Sequence, residues 1–501
     1  MTSPEWAVHL PPATSVAAVD LLADRSLPGS WTRRWREDPG KRVLLDDARG
    51  WLTAARIEEE TRTVAARYAG AGLQPGDRIV VSAAPSADLV IAHVAALRLG
   101  LTVVPVNSAY TEREVAHIVR DSGPAAAVVD DRSRARWIRD ACVREPVITS
   151  PTVELPPGRA PSLDVVGPSD RALIGYTSGT TGAPKGAVLR HGNLLASAEA
   201  LRLAWRWTPE DRLVLSLPMF HIHGLGVGLH GTLTSGAAVV IRPRFDPDDV
   251  FDSISTHRAT LFFGVPTMYA RLAAGGRLAE LAALRLAVSG SAPLPPDLWH
   301  VVAARAQQRI LERYGMTETV MNISNPYDGE RRPGTVGFPL PGTEIRLTGD
   351  TSEIQLRGPN VFSGYWERAD ANAEAFTDDG WFRSGDSGAR DPDGYVRIVG
   401  RLKELIITGG YNVYPREVEE VLRAHPGVND VAVVGLPSAQ WGEQVAAFVV
   451  PAGVLNPDDL LEYAAVRLAA YKRPRVLRLV DSLPHNALGK VLKHELRSQG
   501  V

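Results

Sequence analysis

A segment rich in hydroxyl groups and glycines carries the strongest chemical signal in the sequence. From Tyr176 to Gly186 it holds five hydroxyl side chains, three glycines and one lysine. Glycines let backbone N–H groups approach a polyphosphate, hydroxyls add neutral donors, and lysine supplies positive charge. Ala183-Pro184 before Lys185, with a strand predicted after it, distinguishes the segment from a Walker loop. The pattern predicts a phosphate-binding loop between two strands; the alternative is a flexible surface turn.

Five later motifs each have an ordinary explanation when taken alone. A Thr-Glu pair after glycine is a common helix cap, Asp after glycine is usually a turn residue, and a lysine near a C-terminus is usually solvated. Their order along the chain is what gives them weight. The motifs are Tyr314-Gly-Met-Thr-Glu318, Ser384-Gly-Asp386, Gly400-Arg-Leu-Lys403, Gly409-Gly410-Tyr411-Asn412 and Pro484-His-Asn-Ala-Leu-Gly-Lys490.

Together with the Tyr176–Gly186 loop, these motifs resemble the signature of the acyl- and aryl-CoA synthetase, luciferase and peptide-synthetase adenylation superfamily. The resemblance covers nearly the whole chain. It implies an ATP-dependent acid–CoA ligase that makes an acyl-adenylate, releases pyrophosphate and AMP, and uses ATP, Mg²⁺ and coenzyme A. A non-catalytic acyl-nucleotide-binding protein is the alternative from a different class, and the presence of every motif disfavours it.

The resemblance also implies a role for individual residues. Lys185 and Thr317 would contact phosphate groups, and Glu318 would bind Mg²⁺, which prefers carboxylate oxygen. Lys490 would bridge the substrate carboxylate and the α-phosphate, and Lys403 would be the pivot of a mobile domain. The residues expected to bind ATP or coenzyme A are Thr177, Ser178, Gly179, Thr180, Thr181, Gly182, Lys185, Gly290, Ser291, Ala292, Arg313, Tyr314, Gly315, Met316, Thr317, Asp386, Arg401, Lys403, Gly409, Gly410 and Lys490.

The acid substrate is predicted from a narrower resemblance to bacterial malonyl-CoA synthetases, carried by Gly264–Arg271, Ser289–Pro293 and Glu312–Glu330. In that group, the arginine and serine matching Arg271 and Ser291 hold the distal carboxylate. A second carboxylate needs such a cation, because an unpaired buried ion costs several kcal/mol.

Two further residues complete the predicted acyl site. Met316 would lie near the α-carbon, and His221 would lie at the pocket entrance. Methylmalonate is a second expected substrate; a medium-chain fatty acid or an aryl acid is the alternative. His221 and His223 could also suggest a metal, but two histidines on one strand face leave the site incomplete.

Two other interpretations are weaker. The segment Gly226–Gly231 matches G-x-G-x-x-G, but it begins several residues after the strand predicted over 213–217, so helix packing explains it better than a dinucleotide. An adenylation module of a peptide synthetase is usually followed by a carrier domain, whereas this chain ends soon after Lys490.

The elements that must position these motifs follow an α/β pattern. Alternating helices and short apolar strands in the first part predict a large layered domain with mainly parallel sheets. From about residue 400 the order αββαβ predicts a small α+β domain. The predicted domains are residues 1–402 and 403–501. Predicted helices cover residues 52–70, 86–99, 112–121, 415–424 and 458–470; predicted strands cover 78–82, 102–105, 125–129, 172–176, 213–217, 238–241, 261–263, 284–289, 394–399, 431–434, 445–450 and 476–479.

Bulk properties narrow the class of protein. The 501 residues are too many for one core, and the net charge of −2 does not suggest a nucleic-acid or membrane partner. Cys142 is the only cysteine, which excludes an intramolecular disulfide. The N-terminus has no secretory pattern and no apolar run is long enough to span a bilayer, so a cytoplasmic location is expected. The oligomeric state is not predicted.

Overall fold

The computed structural model describes residues 4–177, 184–438, 440–485 and 491–499. Two compact units are present. The first comprises Met1–Ile345 and Leu356–Phe382, and the second comprises Arg346–Gln355 and Arg383–Val501.

The first unit is built on two sheets with helices packed against them. Its strands are β1 Arg42–Asp46, β2 Gly50–Thr53, β3 Arg78–Ser82, β4 Thr102–Pro105, β5 Ala126–Val129, β6 Val147–Thr149, β7 Arg171–Thr177, β8 Lys185–Arg190, β9 Arg212–Leu215, β10 Ala238–Ile241, β11 Leu261–Gly264, β12 Leu286–Ser289, β13 Leu311–Tyr314, β14 Ile323–Ser324 and β15 Phe338–Pro339. Its helices are α1 Leu27–Glu37, α2 Ala54–Gly70, α3 Ala87–Leu99, α4 Glu112–Ser122, α5 Arg132–Ala141, α6 His191–Ala204, α7 Gly231–Ser235, α8 Pro247–His257, α9 Pro266–Ala274, α10 Pro296–Ala306 and α11 Ala369–Ala375.

Both sheets are mainly parallel, as predicted. One has six strands in the order β6-β5-β3-β4-β7-β8, and the other has nine in the order β15-β14-β13-β12-β11-β9-β10-β1-β2. Antiparallel pairing is confined to the edges, at β7–β8, β1–β2, β13–β14 and β14–β15. Because parallel strands end at the same edge of a sheet, the loops after β12 and β13 lie side by side.

Helix α3 shows how the sequence sets a local element. Ser86 caps its start by accepting a hydrogen bond from the Leu89 N–H at 3.1 Å, and Gly100 ends it with a φ of +88°. Every residue of α3 except Asp88 is buried, since its apolar residues surround the helix instead of forming one stripe. It is therefore a central helix of the first unit.

The second unit has two sheets. Most of a four-stranded sheet belongs to it, in the order β16-β17-β18-β19, and β24 pairs with β23 beside the path β21-β20-β23-β22. The αββαβ order predicted from the sequence is present as α12-β22-β23-α13-β24. The elements are β16 Glu344–Thr348, β17 Glu353–Arg357, β18 Phe382–Arg390, β19 Val396–Arg401, β20 Ile406–Thr408, β21 Tyr411–Val413, β22 Val428–Ser438, β23 Gly442–Pro451, β24 Val476–Leu479, α12 Pro415–Arg423, α13 Pro457–Ala465 and α14 Lys493–Gln499.

The structure corrects several element limits. The helix predicted from Leu52 begins at Ala54, because residues 50–53 form strand β2 and Thr53 caps the helix. The helix predicted over 458–470 ends at Ala465. The packing boundary also differs from the predicted limits 1–402 and 403–501, since residues 383–402 pack with the small unit. The prediction that the small domain rotates about Lys403 is not tested by this packing, and it stays a prediction.

The G-x-G-x-x-G match lies in a helical segment, as expected from packing. A Cβ at Gly228 would lie 2.7 Å from Leu215 Cδ1, and one at Gly231 would lie 2.9 Å from the Trp207 ring. These glycines allow close packing. Among the described residues, no helix has both the length and the apolar composition needed to cross a membrane.

Candidate active site

The Thr317–Glu318 pair lies in a tight loop between β13 and β14. Gly315 is required there, because a Cβ would lie 2.2 Å from the Val320 carbonyl oxygen. Val320 itself has a φ of +57°, a conformation that costs a β-branched residue energy. Backbone strain of this kind is typical of loops whose geometry is fixed by function.

Glu318 and Lys185, two predicted catalytic residues, both contact the side chain of Tyr365. The Tyr365 hydroxyl donates to Glu318 Oε1 at 2.9 Å, and Lys185 Nζ lies 5.4 Å from the centre of the Tyr365 ring. The Glu318 side chain is buried. Burial, together with the charge of Glu318 and its hydrogen bond, raises the pKa of Tyr365, so its hydroxyl stays a donor. The structure thus brings a carboxylate and an ammonium group to one aromatic ring.

The strands that flank the phosphate-loop sequence are confirmed. Thr177 ends β7 and pairs in antiparallel register with Lys185 at the start of β8. Thr317 reaches β7 as well, since a Cβ at Gly175 would lie 2.7 Å from Thr317 Cγ2. The rest of the predicted loop lies outside the described residues: Ser178, Gly179, Thr180, Thr181 and Gly182.

A buried arginine lies next to the loop after β12. Arg313 Nε and Nη2 have no hydrogen-bond partner among the described residues. Its guanidinium occupies the space beside Gly290, where a Cβ would lie 2.3 Å from Arg313 Cζ. Burial lowers the pKa of Arg313 to about 9, so the group remains charged at neutral pH. Gly290 is therefore required for the position of this cation.

Two histidines and a serine adjoin Arg313. His223 Nδ1 is 3.1 Å from Ser291 Oγ, and the His223 N–H donates to His221 Nδ1 at 3.3 Å. Burial, with the nearby charge of Arg313, lowers the pKa of His221 to about 4 and holds the pKa of His223 well below its usual value, so both rings are neutral. Ser291 has a φ of +69°, which marks a second strained residue at the site.

The expectation that His221 and His223 share a strand face is wrong. His221 lies at a bend, and His223 begins a helical segment that extends to His230. Because the backbone turns here, His223 reaches Ser291, a contact that a strand would not have provided.

The remaining predicted acyl-site residues are less enclosed. Arg271 is exposed on α9, and its guanidinium lies 4.9 Å from the centre of the Phe245 ring. Ala292 follows Ser291 on the exposed part of its loop. Met316 Sδ lies 3.8 Å from the Tyr314 hydroxyl, which places these two residues together.

In the second unit, the structure brings together two of the residues predicted to bind ATP or coenzyme A. Asp386 on β18 pairs in register with Arg401 at the end of β19, and Arg401 Nε is 3.4 Å from Asp386 Oδ1. Asp386 is buried, whereas the side chain of Arg401 is 44% exposed. Lys403 is exposed in a short 3₁₀ turn, Leu402–Glu404.

The glycine pair Gly409–Gly410 forms the turn between β20 and β21. Their φ values are +57° and +81°, which a two-residue hairpin turn requires and which glycine adopts without strain. A Cβ at Gly409 would also lie 2.9 Å from the Trp441 ring. Lys490 lies outside the described residues.

Sequence reasoning missed Tyr365, the contact of His223 with Ser291, and Asn360. Asn360 Nδ2 donates to the carbonyl oxygens of Thr319 and Met321, each at 3.0 Å. A buried asparagine in a Gly-Pro-Asn segment has no periodicity that would reveal such a role. For His223, the neighbouring His221 is a signal, because His221 is itself predicted to lie at the entrance of the acyl pocket.

Comparison with known proteins defines the family. Residues 31–366 match the family model of the AMP-binding enzyme, and residues 417–490 match that of the AMP-binding enzyme C-terminal domain. The chain belongs to the AMP-binding enzyme family.

This AMP-binding enzyme is similar to curated and solved relatives over most of its length. A feruloyl-CoA synthase from Amycolatopsis sp. is 36% identical over 490 residues, 94% of this chain and 98% of that protein. A malonate–CoA ligase from Arabidopsis thaliana is 35% identical over 482 residues, 86% of this chain and 79% of that protein. The ATP-bound structure of MatB from Rhodopseudomonas palustris is 38% identical with a TM-score of 0.89, covering 95% of this chain and 99% of that chain.

These findings confirm the predicted superfamily and reaction class. The protein is an AMP-forming acid–CoA ligase that uses ATP, coenzyme A and a carboxylic acid. Its relatives act on different acids according to their names, so family membership leaves the acid undetermined.

Proposed function

We propose that this ligase is a malonyl-CoA synthetase that also accepts methylmalonate. The observation that carries the proposal is the buried guanidinium of Arg313, whose Nε and Nη2 have no partner among the described residues. The resemblance places Arg313 among the residues that bind ATP or coenzyme A, so this proposal gives it a different role. A buried cation without a counter-ion is costly, and a second carboxylate on the substrate would supply one. The relative named malonate–CoA ligase supports the same substrate.

The surroundings of Arg313 are suited to a small anionic group. The rings of His221 and His223 are neutral and so supply no negative charge to Arg313, and the Ser291 hydroxyl beside His223 adds a donor. Arginine presents several N–H groups in a planar fork that matches a carboxylate. The same unpaired fork would disfavour an apolar acid, because burying it against methylene groups leaves its donors unsatisfied.

Arg271 is the second candidate for the distal-carboxylate contact. It is the arginine that the resemblance assigns to this role, and it would have to leave the Phe245 ring to reach a bound acid. Arg313 is already buried, whereas Arg271 is exposed. Substituting each arginine separately therefore shows which of the two contacts the distal carboxylate.

In the proposed adenylation step, a carboxylate oxygen of the acid attacks the α-phosphorus of ATP and the bond to pyrophosphate breaks. Thr317 donates to the α-phosphate, Lys185 offsets charge on the departing phosphates, and Lys490 bridges the carboxylate and the α-phosphate. Each group stabilises negative charge where it develops in the transition state.

Glu318 fits a magnesium site. It offers a buried carboxylate oriented by the Tyr365 hydroxyl, and Mg²⁺ is typically held by one or two carboxylates together with substrate phosphates. When bound, the ion would neutralise phosphate charge and so lower the barrier to pyrophosphate departure.

In the proposed thioester step, the sulfur of coenzyme A attacks the acyl carbon and AMP leaves. Asp386 and Arg401 hold the ribose, and rotation about Lys403 brings Gly409–Gly410 to the channel of the thiol. The positive φ of both glycines allows a narrow turn with no side chain in the channel.

The test is acid-dependent pyrophosphate release in the presence of ATP and coenzyme A. Malonate, methylmalonate, acetate, octanoate, ferulate and 4-coumarate are compared by kcat/KM. We expect malonate and methylmalonate to exceed the others by at least roughly 100-fold, equivalent to about 3 kcal/mol. Preferential turnover of octanoate or of an aryl acid would contradict the malonate assignment while leaving the ligase assignment intact.

Arg313→Met then tests the carboxylate contact. We expect kcat/KM for malonate to fall at least roughly 100-fold and octanoate turnover to stay the same or rise. The melting temperature should not fall, because replacing an uncompensated buried charge with an apolar side chain is often neutral or stabilising. Arg309→Met, at an exposed arginine four residues earlier, is the control. If Arg271→Ala removes the malonate preference and Arg313→Met does not, the contact belongs to Arg271.

A further inference from the structure

Residues 359–366, here called the strap, bind the backbone of the Thr317–Glu318 loop. Asn360 Nδ2 donates to the carbonyl oxygens of Thr319 and Met321, each at 3.0 Å. The Phe362 N–H donates to the Glu318 carbonyl oxygen at 2.8 Å. These bonds satisfy buried carbonyl groups of a strained loop, so the strap fixes the backbone on which Glu318 is carried.

The opposite edge of the strap pairs with β8, the strand that begins at Lys185. The Val188 N–H donates to the Gly364 carbonyl oxygen at 3.0 Å, and the Trp366 N–H donates to the Gly186 carbonyl oxygen at 2.7 Å. The strap therefore connects two motifs that are far apart in sequence, the phosphate-loop strand and the Thr317–Glu318 loop.

Tyr365 is the residue of the strap whose side chain contacts both motifs. Its hydroxyl donates to Glu318 Oε1 at 2.9 Å, and its ring centre lies 5.4 Å from Lys185 Nζ. Phe362 packs edge-on against the ring, with centroids 4.9 Å apart, which limits ring rotation. The backbone pairing on both sides of Tyr365 limits its main-chain freedom as well.

We propose that Tyr365 is a positioning residue for adenylation, holding the Glu318 carboxylate by its hydroxyl and the Lys185 ammonium by its ring. This inference rests on the metal and phosphate roles proposed above for those two residues. A hydrogen bond to one carboxylate oxygen restricts rotation of the group, so the orientation in which it meets the ion is set in advance. Losing an oriented partner of a metal ligand typically costs 10- to 100-fold in metal affinity.

Two substitutions separate the two contacts. Tyr365→Phe removes the hydroxyl and keeps the ring, so we expect a roughly 10- to 100-fold rise in the Mg²⁺ concentration that half-saturates ATP binding, with kcat restored at high Mg²⁺. Tyr365→Leu also removes the ring over Lys185, so it should weaken ATP binding even at saturating Mg²⁺. Calorimetric ATP binding without acid substrate, over a series of Mg²⁺ concentrations, measures both effects independently of turnover.

Tyr68→Phe is the matched control, because Tyr68 is a buried tyrosine whose hydroxyl donates to the Ala92 carbonyl oxygen at 3.4 Å. It should leave the Mg²⁺ dependence unchanged. If Tyr365→Phe weakens ATP binding by the same factor at every Mg²⁺ concentration, the hydroxyl has only a structural role and the proposal is wrong.

Glu318→Gln, measured in parallel, distinguishes failure of this inference from failure of the role on which it rests. Unchanged Mg²⁺ dependence in Glu318→Gln would overturn the metal role of Glu318 itself. A defective Glu318→Gln beside a normal Tyr365→Phe would overturn only the positioning role of Tyr365.

Discussion

At the scale of single residues, the geometry of the candidate active site depends on glycines. Gly290 leaves room for the Arg313 guanidinium, and Gly315 leaves room for the Val320 carbonyl group. A Cβ at either position would overlap atoms that define the site. The same reasoning applies to Gly175, beneath Thr317.

We expect Gly175→Ala to impair ATP use. The added methyl group would lie 2.7 Å from Thr317 Cγ2 and would displace this residue from the position in which we propose that it contacts the α-phosphate. Overpacking of this kind costs roughly 1–3 kcal/mol, so kcat/KM for ATP should fall about 10- to 100-fold in the pyrophosphate assay.

Gly276→Ala is the control for that substitution. No heavy atom lies within 4 Å of a Cβ at Gly276, and its φ is not positive, so neither stability nor activity should change appreciably. Normal ATP kinetics in Gly175→Ala would show that Thr317 does not need its observed position.

At the scale of elements, helix α14 anchors the chain immediately after the Lys490 motif. Lys493 Nζ lies 3.0 Å from Glu404 Oε2 and 2.8 Å from Glu419 Oε1. Burial opposes the charge of Lys493, but the two carboxylates outweigh it and raise the pKa of Lys493. Glu404 belongs to the same turn as Lys403. The ion pair of Lys493 with Glu404 therefore connects helix α14 with the turn that contains the predicted pivot.

Lys493→Met should destabilise the small unit by roughly 3 kcal/mol, because it removes the cation that two partly buried carboxylates share. We also expect slower adenylation, since the chain that carries Lys490 loses an anchor. Thermal unfolding and single-turnover formation of the acyl-adenylate measure the two effects, and Lys493→Arg should recover most of both.

Arg423→Met provides the comparison for an exposed pair in the same unit. Arg423 Nη2 lies 3.4 Å from Asp430 Oδ1, and both side chains are more than one third exposed. The expected loss is at most about 1 kcal/mol. Equal effects of the two substitutions would mean that the Lys493 cluster has no special anchoring role.

At the scale of the whole molecule, the first unit contains several buried neutral histidines. His93 and His230 share a hydrogen bond, with Nε2 atoms 2.8 Å apart. Burial lowers the pKa of His93 to about 3, of His191 to about 4, and of His230 well below 6.5. In the unfolded chain all of them would take up protons near pH 6.5.

We therefore expect stability to fall as the pH decreases from about 6.5 to 4.5. Below pH 6.5 the unfolded state binds more protons than the folded state, and each such histidine contributes a slope of about 1.4 kcal/mol per pH unit. Carboxylates with lowered pKa values, such as Asp24, contribute mainly at more acidic pH. Urea unfolding of the first unit across this pH range measures the slope.

Replacing both His93 and His230 with leucine should make the acid slope shallower by roughly twice that amount, whatever its effect at pH 7. His300→Gln, at an exposed histidine, should leave the slope unchanged. An unaltered slope in the double variant would show that the pair does not remain neutral in the folded protein.

By itself, the sequence determined the reaction class, the order of the elements and most of the motifs. The phosphate-binding role of the Tyr176–Gly186 loop stays a prediction, since most of the loop lies outside the described residues, but the two strands that flank it were predictable from local pattern. The parallel strands and the αββαβ order were predictable for a similar reason, since apolar periodicity and helix caps are local patterns. Strand β1 escaped prediction because its parallel partner β10 lies almost two hundred residues away, and β2 joins the sheet only through β1.

Only the tertiary structure decided which side chains meet. Tyr365 and Glu318 are separated by 47 residues, and His223 and Ser291 by 68, so no local pattern links them. Arg313 could be assigned to the site from its motif, but its burial without a described partner depends on how the loops after β12 and β13 pack together. Contacts of this kind arise because parallel strands bring distant chain segments to the same sheet edge, and that placement is a property of the folded molecule.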